Sequence, residues 1–141
     1  MATTTATITI ASSDIADNAF SISNTSTLYT AGTDTGISET TGLGRKKVAT
    51  SGNVVLLDGG LTSGVAADVT ADKSAKVYIK NHNDRGDGTK YVTILLAAVE
   101  IGRLYGGDFM FIPWCAASGK DIEFTPSDAT ETTLEHTCFY E

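Results

Sequence analysis

Few residues in this chain could do chemistry, and their spacing limits what that chemistry could be. The two histidines, His82 and His136, form no H-x-H or H-E-x-x-H arrangement that would bring two imidazoles to one metal. His136 alternates with Leu134 and Cys138, which predicts an inward-facing core or interface histidine and not a catalytic base. Cys115 follows Trp114, but no base lies beside it and the cysteine-protease signatures are absent. Cys115 and Cys138 are too few for a disulfide framework or a closed zinc site. Two free, mostly buried thiols are expected, with a single bridge as the alternative. The carboxylates Asp108, Asp121, Glu123, Asp128, Glu131 and Glu135 are scattered along the C-terminal half and read as solvated faces. A glycosidase would need two of them to converge. There is no G-x-S-x-G and no glycine loop placed to cradle phosphate. The expectation is a protein with no catalytic residue, no metal site and no cofactor.

The stretch NHNDRGDGTK (Asn81 to Lys90) is the densest polar segment, and Asp84, Arg85, Gly86 and Asp87 at its centre contain the adhesion tripeptide Arg-Gly-Asp. Its Asn, Asp and Gly residues tolerate positive φ and cap turns, so the segment reads as an exposed hairpin connection of about five to seven residues. A calcium loop fails here, because Arg85 stands where an oxygen ligand is required and Val92 where the closing glutamate belongs. The one basic cluster, Arg45-Lys46-Lys47, reads as a solvated loop.

Composition sets the frame for these residues. With 41% hydrophobic and 19% charged residues, 141 positions suffice for one folded domain with a real core. A net charge of −7 argues against nucleic acid and anionic membrane as partners. The N-terminal MATTTATITIASS has neither a basic region nor an apolar run of signal-peptide length, and no stretch is long enough to span a bilayer.

Abundant threonine, 14 glycines, 2 prolines and the lack of helical periodicity predict strands joined by glycine-bearing turns. TTATITI and AFSIS alternate as half-buried strands, with a short helical turn capped by Ser12 or Ser13 expected between them. From Asn24 to Gly52 large apolar residues are scarce, which predicts an extended arm or subunit-contacting loop, with a strand at KKVAT as the alternative. NVVLLD, KVYIKN, DFMFIPW, DIEFT and TTLEHTCFY read as strands, and KVYIKN turns Val77 and Ile79 to one face. YVTILLAAVEIGRLY is long enough for a helix, but its β-branched residues and Gly102 favour two strands bent near Ala97 and Ala98. The fold class is therefore all-β, a β-sandwich or jelly roll with an extended N-terminal arm. Phe109 and Phe111 share a face opposite Met110 and Ile112, so this strand is central in the sandwich or covered by another subunit.

Two resemblances enter at Ile101 to Trp114, IGRLYGGDFMFIPW. Gly107 and Pro113 have the spacing of the second cupin motif, but Cys115, Ser118 and Ile122 replace its glycine, histidine and asparagine, and the first motif is missing. Over Lys76 to Glu141, KVYIKNHN, IGRLYGGD, DFMFIPW and the Tyr-Glu ending resemble small β-rich virion structural proteins of tailed bacteriophages. That resemblance implies a capsid decoration (cement) protein on the virion surface, assembled in the host cytoplasm. Its partners would be the major capsid protein and further copies of itself, with a trimer suited to a three-fold position. The alternative is a tail, neck or fibre component with a receptor- or carbohydrate-binding loop. Contacts are expected from Thr25, Tyr29, Arg45, Lys46 and Lys47 in the arm, with Tyr105, Phe109, Phe111 and Trp114 as core or interface anchors.

Overall fold

The computed structural model describes residues 3–14, 19–30, 33–59, 74–86 and 88–140. Every regular element among them is a β-strand, as expected from the threonine- and glycine-rich composition. The chain divides into two compact units, Met1–Ser38 and Glu39–Glu141, where the sequence suggests a single domain with an arm.

The first unit is built on a two-stranded antiparallel ribbon, β1 (Thr5–Ser12) with β2 (Phe20–Thr27), paired without interruption from Thr5↔Thr27 to Ser12↔Phe20. β2 runs past the predicted AFSIS because the backbone of Asn24 to Thr27 pairs with β1 whatever its side chains are. Beyond the ribbon the chain folds back on itself. Leu28 N–H donates to the Thr4 carbonyl at 2.8 Å, and Ile37 N–H to the Leu28 carbonyl at 2.9 Å. Leu28 and Ile37 are buried. The helical turn expected after Ser12 falls largely on residues 15–18, outside the described residues.

The second unit holds two sheets. One has the order β5 (Val54–Leu57), β10 (Ile122–Pro126), β7 (Tyr91–Leu96), β8 (Val99–Tyr105). In the other, β11 (Thr132–Tyr140), β6 (Ser74–Asn81) and β9 (Phe109–Cys115) are neighbours. Here β3 (Glu39–Thr40) and β4 (Gly44–Val48) lie in succession along the far edge of β11. All pairs are antiparallel and they nest: β7 with β8, β6 with β9, β5 with β10, β4 with β11. From β4 to β11 the chain is thus one long hairpin, bent at Ala97 and Ala98 and wound into two sheets. Those two alanines have φ of 52° and 63°, the left-handed region a tight hairpin turn needs.

Alternation builds the core. Val77 and Ile79 of β6 face Cys138 and His136 of β11 in register, and all four are buried. Ile94, Ile122, Phe124, Leu57 and Leu134 join the same cluster with no exposed surface. Each such side chain contributes about 1.5–3 kcal/mol over an exposed one. The faces predicted for KVYIKN and the bend predicted in YVTILLAAVEIGRLY are both present.

Three expectations change. Arg45-Lys46-Lys47 is no loop but the middle of β4, held by backbone pairing to Glu135, Leu134 and Thr133 of β11. The Asn81 to Lys90 segment is no hairpin. Both edges of β6 are taken, by β11 and β9, so the segment carries the chain to the other sheet, where β7 pairs β10 and β8. Cys115 is exposed at the end of β9, so only Cys138 is a buried thiol, and both are free.

Candidate functional site

Three features of the surface could meet a partner, and each is built differently. The first is a cavity of about 210 Å³ at one end of the second unit. Its walls come from the β6–β7 crossing, Gly106 after β8, and the loop from Ser127 to Thr132. Asn81 is buried and braces it: Nδ2 donates to the Leu104 carbonyl at 3.1 Å, while Oδ1 accepts the Asn83 N–H at 3.1 Å. Asn83 spans to the opposite loop, its Oδ1 accepting Thr133 N–H and its Nδ2 donating to the Glu131 carbonyl. Gly106 allows the crossing to approach, because a Cβ there would lie 2.3 Å from the Asp84 carbonyl oxygen. These bonds form the walls before any ligand arrives.

Three of the four charged residues described around the cavity are already paired. Arg85 Nη1 lies 3.2 Å from Asp108 Oδ1. Lys90 Nζ lies 3.4 Å from Asp128 Oδ2 and donates to Thr130 Oγ1 at 3.1 Å. The Thr130 backbone N–H, its side chain and Lys90 together hold the Asp128 carboxyl below its ordinary range. Asp84 has no partner among the described residues. Asp87, the last residue of the Arg-Gly-Asp tripeptide, lies outside the described residues.

The second feature is the outer face of the sheet containing β6. Tyr78 and Phe109 stand 6.2 Å apart and Phe111 and Phe139 6.4 Å apart, which lays an aromatic band across three strands. Phe109 is the most open of them at 61%. Burial, and secondarily the Glu135 carboxylate, raise the Tyr78 phenol above its ordinary pKa. Trp114 leaves this set, because it is buried in the core with Nε1 donating to the Lys120 carbonyl at 2.8 Å. Tyr105 packs against Tyr91 at 5.5 Å and donates its N–H to Asp108 Oδ2. Arg45 pairs with Glu135 at 2.9 Å and Lys47 with Glu131 at 2.7 Å, while Lys46 donates to the Val55 carbonyl.

The third is the ribbon of the first unit. One face carries Ile8, Ile10, Phe20 and Ile22, all solvent-exposed. The other carries hydroxyl pairs, Thr7 with Thr25 at 2.9 Å and Thr9 with Ser23 at 3.3 Å. Tyr29 is exposed and bridges Gly36. Thr25 and Tyr29 thus sit in one unit and the remaining predicted contacts in the other. The apolar ribbon face was legible in the ITI and FSI alternation, yet those residues read as half-buried.

Of the scattered carboxylates, Asp108, Asp128, Glu131 and Glu135 pair with cations and Asp121 accepts the Gly59 N–H at 2.8 Å. Among the described residues no three His, Cys, Asp or Glu side chains are grouped to hold a metal. His136 lies in the core with Nδ1 unpartnered, and burial first, then Lys46, lower its pKa. Gly44 makes room for it, since a Cβ there would stand 3.1 Å from the ring. Compared with known proteins, the chain matches no protein-family model and no curated protein.

Proposed function

We propose that this chain is a structural protein of a tailed-bacteriophage particle, a capsid decoration protein that stabilises the head by bridging capsid subunits and meeting copies of itself. The ribbon carries this reading. A two-stranded hairpin, with neither edge paired to a third strand among the described residues, is marginal in water by itself. This one exposes Ile8, Ile10, Phe20 and Ile22 along one face and has no charged residue in either strand. Such a surface suits burial against a neighbouring subunit, where its backbone edges can pair and its apolar face is covered. The aromatic band with open Phe109 offers a second contact of the same kind.

The nested strand order also fits a jelly roll, an architecture found in viral capsid domains, although fold alone does not assign a role. The resemblance of Lys76 to Glu141 to small virion proteins points the same way.

The test is to add purified protein to isolated phage heads that lack it. Saturable binding at a copy number matching the capsid lattice is expected, and it should be lost in Ile10→Asp and Ile22→Asp proteins that remain folded. Binding at a tail or neck stoichiometry moves the protein off the head. No binding to heads, or binding unchanged in both variants, removes the decoration role.

A further inference from the structure

The cavity between the β6–β7 crossing and the Ser127–Thr132 loop is distinct from the ribbon, and its chemistry selects a different kind of ligand. It is preformed: the side chains of Asn81 and Asn83 are spent on bonds between loops and not held in reserve for a guest. Among the described residues its charged lining is Asp84, Asp128, Arg85 and Lys90, two of each sign. Arg85 and Lys90 are already paired with carboxylates, so a phosphate or sulfate would have to displace Asp108 or Asp128 to gain a cation. Among the described residues a metal ion would find only Asp84 unengaged, too few ligands for calcium or zinc. Neither a full anion nor a full cation is favoured.

What remains open is the Asp84 carboxylate and the Lys90–Asp128–Thr130 network, beside the strand at Tyr91 and Val92. The Tyr91 ring packs against Tyr105 and lies 4.7 Å below the Arg103 guanidinium, neither of which lines the cavity. About 210 Å³ is smaller than a drug-sized pocket of roughly 300–1,000 Å³ and suits one small ring.

We propose that this cavity binds an uncharged polyhydroxyl ligand, one pyranose ring of a glycan. Two neighbouring hydroxyls donate to the Asp84 carboxylate and a further hydroxyl joins the Lys90–Asp128 pair. The site is independent of where the protein sits in a particle and does not use the ribbon.

The experiment titrates the full chain with galactose, glucose, mannose and N-acetylglucosamine, and in parallel with inorganic phosphate and calcium. Saturation-transfer NMR and calorimetry give the readout. At least one sugar is expected to bind. Asp84→Asn should weaken it about ten-fold or more, the effect of losing a hydrogen bond to a charged group. Because the Asp84 carboxylate has no partner among the described residues, that variant should melt like the parent, and the melting curve is recorded alongside. Absence of binding by all four sugars overturns the proposal. So does sugar binding that Asp84→Asn leaves unchanged, or binding of phosphate or calcium without any sugar.

Discussion

The ribbon and the sandwich are made of similar residues arranged to opposite ends. Ile8, Ile10, Phe20 and Ile22 alternate as cleanly as Val77 and Ile79, yet the first four face solvent and the last two have no exposed surface. The difference is the second layer. Val77 and Ile79 lie in a sheet packed against the cluster of Phe124, Ile94 and Leu57, whereas the ribbon has two strands and a bare face. Alternation tells a strand which side wants covering; only another layer, from the same chain or another, does the covering.

The sharpest way to break this comparison is to truncate one aromatic in each region. Phe124→Ala should cost about 3–5 kcal/mol in chemical denaturation of the isolated protein. Phe20→Ala should stay within about 0.5 kcal/mol. A large loss at Phe20 would mean that its face is already covered in solution, by a second copy.

Acid separates the regions next. The ribbon strands contain no ionisable side chain, while the sandwich buries His136. Because the folded pKa of His136 lies below its ordinary 6.5, the unfolded imidazole takes up a proton first as the pH falls. Its share of stability is therefore complete above about pH 6.5 and is lost as the pH falls from there through the folded pKa. The slope is at most about 1.4 kcal/mol per pH unit. Denaturation midpoints between pH 8 and 5 should show that slope, and His136→Gln should flatten it even if it lowers stability throughout.

A smaller effect sits at the β7–β8 turn. Two alanines in the left-handed region are strained where asparagine and glycine are not. Ala97→Asn with Ala98→Gly should raise sandwich stability by about 1 kcal/mol, seen as a higher denaturation midpoint. The smallest effect is chemical. Cys138, whose thiol is pushed up to about 12 by burial, should resist a thiol reagent until the sandwich unfolds, while exposed Cys115 reacts at once. Two fast thiols in native protein would mean that β11 opens readily.

Much of this was legible in local pattern. The two faces of KVYIKN followed from alternation, and the bend at Ala97 and Ala98 from β-branched residues in a segment too interrupted for a helix. Pairing was not legible, because it is set by residues far apart in sequence. Arg45-Lys46-Lys47 looks like a loop until β11 supplies its backbone partners, and Glu135 and Glu131 supply partners for its charges. Asn81 to Lys90 looks like a hairpin because strong strands flank it, and nothing local shows that both edges of β6 are occupied. For the same reason the cavity could not be seen: it needs Gly106 and Thr130 beside Asp84, and only the rolled sheets place them there.

The nested pairing also sets a timetable for folding. β7 and β8 can meet across a two-residue turn, but β4 and β11 come together only after nearly the whole second unit has been brought into place. Each later pair closes a longer loop than the one before, so folding should proceed outward from Ala97 and Ala98 and be slow for a chain of this size. While it does, the uncharged ribbon segment is uncovered, and newly synthesised copies run the risk of meeting through it before their sandwiches are complete.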